Sequence, residues 1–307
     1  MVKHAAIFAD APLAKEIIQR AYPTATKIEL IEHGYDNIVV LVDDTYAIRF
    51  PRNEAAYARS KYEKQVLTHL EGIRSVHIPK VLGEHADPPY LITSFVAGRH
   101  LSPHDINNMP GDIQKQLGAD IARFVYDLHS NFVVDDAQRI RKELKLDTLE
   151  QEPWDIYFEK SLLKRTFPNP NQDAVTKTYY KEWRQLASGK MVVVHDDLHT
   201  ENMLFVDNRL YGVLDFADTN IGTAEQELRQ LYRINDTILI AAVDMYSQLS
   251  GRKLDVEAIK IWAIMQELGA YSDRLFSNDT SHPAFARAAG NLNMWLETNI
   301  WGKEYQA

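Results

Sequence analysis

Cysteine is absent from all 307 residues. That absence excludes disulfides, thiolate nucleophiles and any zinc site with sulfur ligands. Long apolar runs are missing too: nothing approaches the ~18 residues of a bilayer span, so no membrane partner is expected. Between Met1 and Ala14 there is no basic start or sustained apolar core of an export signal, because Ala5 to Ala9 is too short. The expectation is a cytoplasmic protein. Basic charge is scarce as well, with Lys plus Arg at 34 against Asp plus Glu at 43, a net −9. A nucleic-acid binder needs a basic face to neutralise phosphates, so nucleic acid is not an expected partner. An acidic balance suits a cationic small molecule, although solubility alone also accounts for it.

What is present is a soluble profile, 45% hydrophobic and 25% charged. The first third of the chain alternates short extended stretches with turn signals. Thr26 to Ile31, Asn37 to Val42, Thr45 to Phe50, Lys80 to Glu84 and Tyr90 to Phe95 predict a five-stranded antiparallel sheet. A short helix over Pro12 to Ala21, with Leu13, Ile17 and Ile18 on one face, precedes it. A second helix from Asn53 to Leu70 interrupts it. The remainder reads as mainly helical. Ile113, Leu117, Ile121, Phe124, Val125 and Leu128 share one face of a central buried helix. Thr223-Ala224-Glu225-Gln226 reads as a capping box. Further helices are expected near 154–164, 173–186, 235–249, 255–275 and 284–298. The predicted class is α+β, with an N-terminal sheet lobe over 1–96 and a larger helical lobe over 97–307.

One stretch carries chemistry. The β-branched run Val192 to Val194 ends in His195-Asp196-Asp197-Leu198-His199-Thr200-Glu201-Asn202, and Leu210 to Leu214 ends in Asp215-Phe216. Met203 to Val206 and Leu210 to Leu214 predict a hairpin turning at Asp207-Asn208. The residues flanking such a hairpin lie at its open end, which puts Asn202 beside Asp215. Their oxygens suit a hard cation such as Mg²⁺ carrying nucleotide phosphates. Asp197, on the loop after a buried strand, is placed to orient an attacking hydroxyl and accept its proton. His195 is the second catalytic candidate, more as a brace for the loop than as the base. A metal-hydrolase reading of the two His and two Asp would need further ligands, and the other His residues form no second cluster.

His195-x-Asp197-x-x-x-x-Asn202 with Leu214-Asp215-Phe216 resembles the aminoglycoside phosphotransferase family, whose fold is like that of protein kinases. Gly34-Tyr35-Asp36-Asn37, Tyr46 to Pro51 and Val96 to Leu101 extend the resemblance, which is nearest to the aminoglycoside 2″- and macrolide phosphotransferase branches. It implies a bilobal kinase-like fold, ATP or GTP as donor, Mg²⁺ as cofactor, and a monomer or weak dimer. It assigns Gly34, Tyr35, Asp36 and Asn37 to the phosphate-covering loop, although no Gly-x-Gly-x-x-Gly or Walker A run is present. Arg49 stands where kinases usually carry Lys, with Glu63 as its helix partner; Arg52 and Lys80 compete for the basic role. The alternative for Glu63 is a surface pair with Arg59, one turn earlier. Ser94 and Val96, within Tyr90 to Val96, are assigned to the base pocket.

On the acceptor side Asp218, Glu227, Asp236 and Glu267 are the expected carboxylates, with Glu225 and Asp273 nearby. Glu225 and Glu227 equally suit the first turn of a helix. Trp262, set among isoleucines, reads as core. The expected function is a kinase for a cationic acceptor, with aminoglycosides ahead of macrolides and of metabolic alcohols or sugars. A catalytically silent nucleotide-binding protein is the alternative of another class, permitted by Arg49.

Overall fold

The computed structural model describes residues 7–145, 153–186 and 189–302. Five strands, β1 (Ile28–Ile31), β2 (Asn37–Val42), β3 (Tyr46–Pro51), β4 (Val81–Ala86) and β5 (Pro89–Ser94), form an antiparallel sheet in the order β1-β2-β3-β5-β4. Side chains alternate across a strand, so Ile48 and Phe50 point to one face and Arg49 to the other. The first face is apolar. Ile48 and Phe50 join Ile38, Val40 and Val42 beneath α1 (Ala11–Ala21). That helix buries Ala11, Ala14 and Ile18 and leaves Leu13 exposed, so its inner stripe differs from the predicted one. Two alanines allow close approach to the sheet, whereas the larger Leu13 is turned outward.

The other face meets α2 (Glu54–His69), which Asn53 caps by accepting from the Ala56 amide at 2.9 Å. Although α2 precedes residue 96, its Tyr62, Val66 and Leu67 share an apolar cluster with the helical part of the chain. The sheet is thereby fastened to the helices through α2 as well as through the segment that follows β5.

The helical part comprises α3 (Pro103–Asn107), α4 (Gly111–Asn131), α5 (Val134–Glu143), α6 (Trp154–Phe158), α7 (Pro170–Leu186), α8 (Ala224–Leu228), α9 (Asp236–Ser250), α10 (Val256–Phe276) and α11 (Pro283–Trp295). Leu117, Ile121, Phe124, Val125 and Leu128 of α4 are buried, as their spacing predicts. Between α7 and α8 the chain inserts two small antiparallel pairs. β6 (Met191–Val194) pairs with β9 (Asn220–Thr223), and β7 (Met203–Val206) with β8 (Arg209–Val213). Single bridges flank the second pair, His77 to Gly212 on one side and Arg99 to Phe205 on the other. These bridges tie the segment that enters β4 and the segment that follows β5 to the hairpin carrying the central motif. No helix among the described residues is long and apolar enough to cross a membrane.

Candidate active site

The β7–β8 turn has left-handed backbone at Asp207 (φ 49°) and Asn208 (φ 58°), the pair of angles a tight two-residue hairpin needs. The Leu214 amide donates to the Asn202 carbonyl at 2.9 Å, so pairing continues to the open end and sets Asp215 beside Asn202. The Asn202 side-chain N–H donates to the Asp197 carbonyl at 2.9 Å and to its carboxylate at 3.2 Å. Asp197, Asn202 and Asp215 therefore form one cluster, assembled by a single strand–loop–hairpin unit.

Burial pushes the Asp197 carboxyl up, yet the hydrogen bond from His199, with the charges of His199, His195 and Arg229, holds it below the ordinary range. His199 lies 3.3 Å away and is itself raised: burial opposes its charge, but the Asp197 hydrogen bond and charge prevail. Asp197 thus remains an ionised acceptor. His195 is fully buried, with its ring bonded to the Leu214 carbonyl at 2.9 Å and its amide donating to Glu227 at 2.5 Å. It braces the loop from behind and is remote from the role of base.

Arg49, projecting from the polar face of β3, is ion-paired with Glu63 of α2 and reaches Asp215 at 3.3 Å. Glu63 also accepts from the Phe216 amide at 3.2 Å and is completely buried. Burial alone would lower the Arg49 pKa, but the Glu63 and Asp215 carboxylates override it and keep the guanidinium charged. Arg59 instead pairs with Asp36, so the surface Glu63–Arg59 pair does not form. Arg52 donates to the carbonyls of Gly34, at 3.0 Å, and Glu32. Both arginines hold the Gly34–Asn37 loop from beneath. A Cβ at Gly34 would meet the Asn37 carbonyl at 2.7 Å, so the close approach there is within the loop itself. Tyr35 stands 94% exposed at its tip, and Asn37 is buried at the start of β2. Ser94 accepts from the Lys80 amide at 2.9 Å, and Val96 packs over Gly212. Both sit where the sheet joins the hairpin.

The acceptor side departs from expectation. Glu227 is 1% exposed and receives the His195 amide, so it is a strut of the catalytic loop and does not line the cleft. Glu267 is fully buried behind Arg233, at 2.6 Å, and Asn291, at 2.9 Å. Completely buried beside its own cation, it does not open onto the cleft. Asp236 opens α9 at the surface, paired with Lys260 at 3.0 Å. Of the four, Asp218 alone lines the cleft of about 290 Å³ beside Asp197, with Trp154, Tyr157, Asn220 and Gln266. Burial, then the charges of Asp197, Asp215, Asp196 and Asp36, push its carboxyl up to about 7. Trp262 is buried among aromatics, as its neighbours predicted.

Several supporting contacts carried no sequence signal of their own. Thr223 does cap α8, accepting from the Gln226 amide at 3.1 Å. The Gln226 side chain, however, donates to Asp196 at 2.8 Å instead of turning back to the cap. Asp196 adopts a left-handed backbone (φ 65°) and is enclosed by Arg229 at 2.8 Å and the Trp154 indole at 3.1 Å. Gln230 reaches the Asp197 carboxylate at 3.4 Å.

The donors at the hairpin's open end fit a hard divalent cation. The Asn202 nitrogen is spent on Asp197, which leaves its amide oxygen for a ligand, and Asp215 contributes a carboxylate that is 45% exposed. No cluster of three or more acidic or His residues able to hold a metal exists among the described residues.

A sheet lobe with an Arg–Glu pair, joined to a helical lobe whose hairpin presents Asp, Asn and Asp at the seam, defines a kinase-like phosphotransferase. The sequence profile of the phosphotransferase enzyme family matches residues 27–262, and the chain belongs to that family. A search of curated sequences finds no match. Among solved structures, a GDP complex of an aminoglycoside 2′-phosphotransferase-IIIa variant superposes with a TM-score of 0.77 at 16% identity, covering 95% of this chain and 99% of that one. A complex of APH(2″)-IIIa with GDP and kanamycin gives 0.75 at 17% identity, with coverage of 92% and 97%. The macrolide 2′-phosphotransferase MphH from Brachybacterium faecium gives 0.64 at 16%, covering 91% and 97%. At these identities the likeness establishes the shared fold.

Proposed function

We propose that the protein is a Mg²⁺-dependent kinase that moves the γ-phosphoryl group of ATP or GTP to a hydroxyl of a cationic small molecule, with aminoglycosides first among acceptors. The observation that carries this reading is the single cluster of Asp197, Asn202 and Asp215, with the Arg49–Glu63 pair closing over it. Asp197, kept ionised, accepts the acceptor's hydroxyl proton as the oxygen bonds to the γ-phosphorus and the bond to the β-phosphate oxygen breaks, releasing the nucleoside diphosphate. Asn202 and Asp215 would hold the Mg²⁺, which supplies charge neutralisation for the phosphates. Arg49 contacts phosphate, and Glu63 fixes its orientation. The charged Arg49, set in a complete ion pair, speaks against a catalytically silent protein.

Asp218 and the net charge of −9 favour an acceptor bearing ammonium groups. The missing ring of carboxylates weakens the preference for a polyamine, and the aromatic wall of the cleft favours a macrolide as the second reading. The test is incubation with ATP or GTP and Mg²⁺ against kanamycin, erythromycin and simple amino alcohols, with phosphorylated product read by mass spectrometry. Transfer to kanamycin supports the first reading, and transfer to erythromycin alone moves the assignment to macrolides. Nucleotide binding without turnover on any acceptor or water would contradict the kinase assignment itself.

A further inference from the structure

Trp154 and Tyr157 are three residues apart on α6 and so share one face, which lines the cleft beside Asp197. Their rings meet edge to face, with centroids 5.7 Å apart at 81°. Each is anchored at its far end. The Trp154 indole N–H donates to Asp196, the neighbour of Asp197, and the Arg229 guanidinium lies 4.9 Å from its ring. The Tyr157 hydroxyl donates to Asp273 of α10 at 2.7 Å. Asp273 receives two further donors on its other oxygen, Arg165 at 2.7 Å and Ser161 at 3.1 Å. Directly after α6 the chain widens into a π-helical turn, Glu159–Leu163, a feature frequent at functional sites.

Gly269 is the remaining piece. It lies inside α10, where glycine costs about 1 kcal/mol relative to alanine. A Cβ there would stand 2.8 Å from Cε1 and from the hydroxyl oxygen of Tyr157. The ring is bedded on bare helix backbone, one turn before the carboxylate that holds its hydroxyl. Tyr157 packs against the aromatic core on one side and borders the cleft on the other.

We propose that Trp154 and Tyr157 form the acceptor-facing wall of the cleft, and that Gly269 and Asp273 are positioning residues that fix Tyr157 in it. The inference rests on the reading of this cleft as an acceptor site. Because Trp154 is tied to the catalytic loop and Tyr157 to α10, the wall is registered against Asp197. It fits the C–H face of a saturated, hydroxylated ring, laid on the aromatics with one hydroxyl towards Asp197 and an ammonium towards Asp218.

The test is steady-state transfer to kanamycin and to erythromycin by Tyr157→Ala, Tyr157→Phe, Gly269→Ala and the double variant Tyr157→Ala/Gly269→Ala. Tyr157→Ala and Gly269→Ala should each raise the KM of the probe acceptor about tenfold, while the nucleotide KM stays within about twofold. Tyr157→Phe keeps the ring but loses the bond to Asp273, and should raise the acceptor KM by about two- to threefold, less than Tyr157→Ala. In the Tyr157→Ala background the Gly269→Ala change should add nothing, because the glycine acts only through that ring. If Gly269→Ala does not fold, Tyr157→Ala alone carries the test. An unchanged acceptor KM in Tyr157→Ala overturns the proposal, as does strict additivity of the pair. It also fails if the wild-type protein hydrolyses nucleotide but uses neither probe. Absence of any nucleotide turnover overturns the kinase reading instead.

Discussion

The two halves of the cleft are built in opposite ways. On the half proposed to hold the nucleotide, Asn202 and Asp215, with Asp197 at the border between the halves, come from one contiguous strand–loop–hairpin, and the backbone ladder delivers them to a shared open end. On the acceptor half, Trp154, Tyr157, Gln226, Arg229 and Asp218 come from segments far apart in the chain, and side chains position one another. Carboxylates have different tasks in the two halves. Asp197 and Asp215 face the cleft, whereas Glu227, Glu267 and Asp273 are struts: one oxygen of Glu227 accepts a buried amide, one oxygen of Glu267 accepts from Arg233, and Asp273 accepts from the Tyr157 hydroxyl. Charge alone therefore does not mark a ligand-binding residue; the partner and the burial do.

If the acceptor half depends on side-chain pairs, its largest sensitivity lies at Asp196 and Arg229, both almost fully buried. Arg229→Met should destabilise the fold by about 3–5 kcal/mol, the usual result of leaving a buried charge without its partner. Urea unfolding reads this directly, and a loss below about 1 kcal/mol would erase the contrast between the halves. Arg49 and Glu63 test whether one side-chain pair of this kind also serves the nucleotide half. A double-mutant cycle on nucleotide affinity with Arg49→Ala and Glu63→Ala should show coupling of about 1–3 kcal/mol. Strict additivity would transfer the phosphate role to another cation.

Glu227→Ala leaves the buried His195 amide without an acceptor, a loss of about 1–3 kcal/mol in stability. Turnover should fall through disorder of the catalytic loop, with the acceptor KM little changed. A raised acceptor KM at normal stability would return Glu227 to the pocket. Asp218, whose carboxyl is pushed up to about 7, tests the contrast through pH. Between roughly pH 4 and 7 the folded chain then holds a proton that the unfolded chain, with an ordinary Asp near ~3.9, has released. Stability from this group is present below about pH 4 and lost as the pH rises through 7. Asp218→Asn should therefore gain stability over the wild type on going from pH 5 to pH 8. A constant difference across that range would remove the acidic cluster from the account.

The contrast also explains what could be read from the sequence. Strand alternation and the hairpin depend on neighbours in the chain, so β1 to β5, the Asp207-Asn208 turn and the proximity of Asn202 to Asp215 were legible. So was the face of α4. Glu227 does lie in the first turn of a helix, the alternative its position offered, but its bond to the His195 amide and the burial of Glu267 were not legible, because a carboxylate in a helix looks the same whether it faces solvent or a buried amide. Gln226 was legible only as a cap partner, since its bond to Asp196 spans two separated segments. Tyr157 and Gly269 lie more than a hundred residues apart, and neither has meaning without the other. The docking of α2 into the helical cluster was hidden for the same reason.

The central claim is that Asp197 works on the acceptor hydroxyl while its neighbours hold the nucleotide. Single-turnover transfer of labelled γ-phosphate to the acceptor, measured for the wild type and Asp197→Asn together with nucleotide affinity, tests it most directly. The account predicts transfer slowed by about 10²–10⁴-fold with nucleotide affinity nearly unchanged. Transfer at close to the wild-type rate, or a loss explained wholly by weaker nucleotide binding, would contradict it.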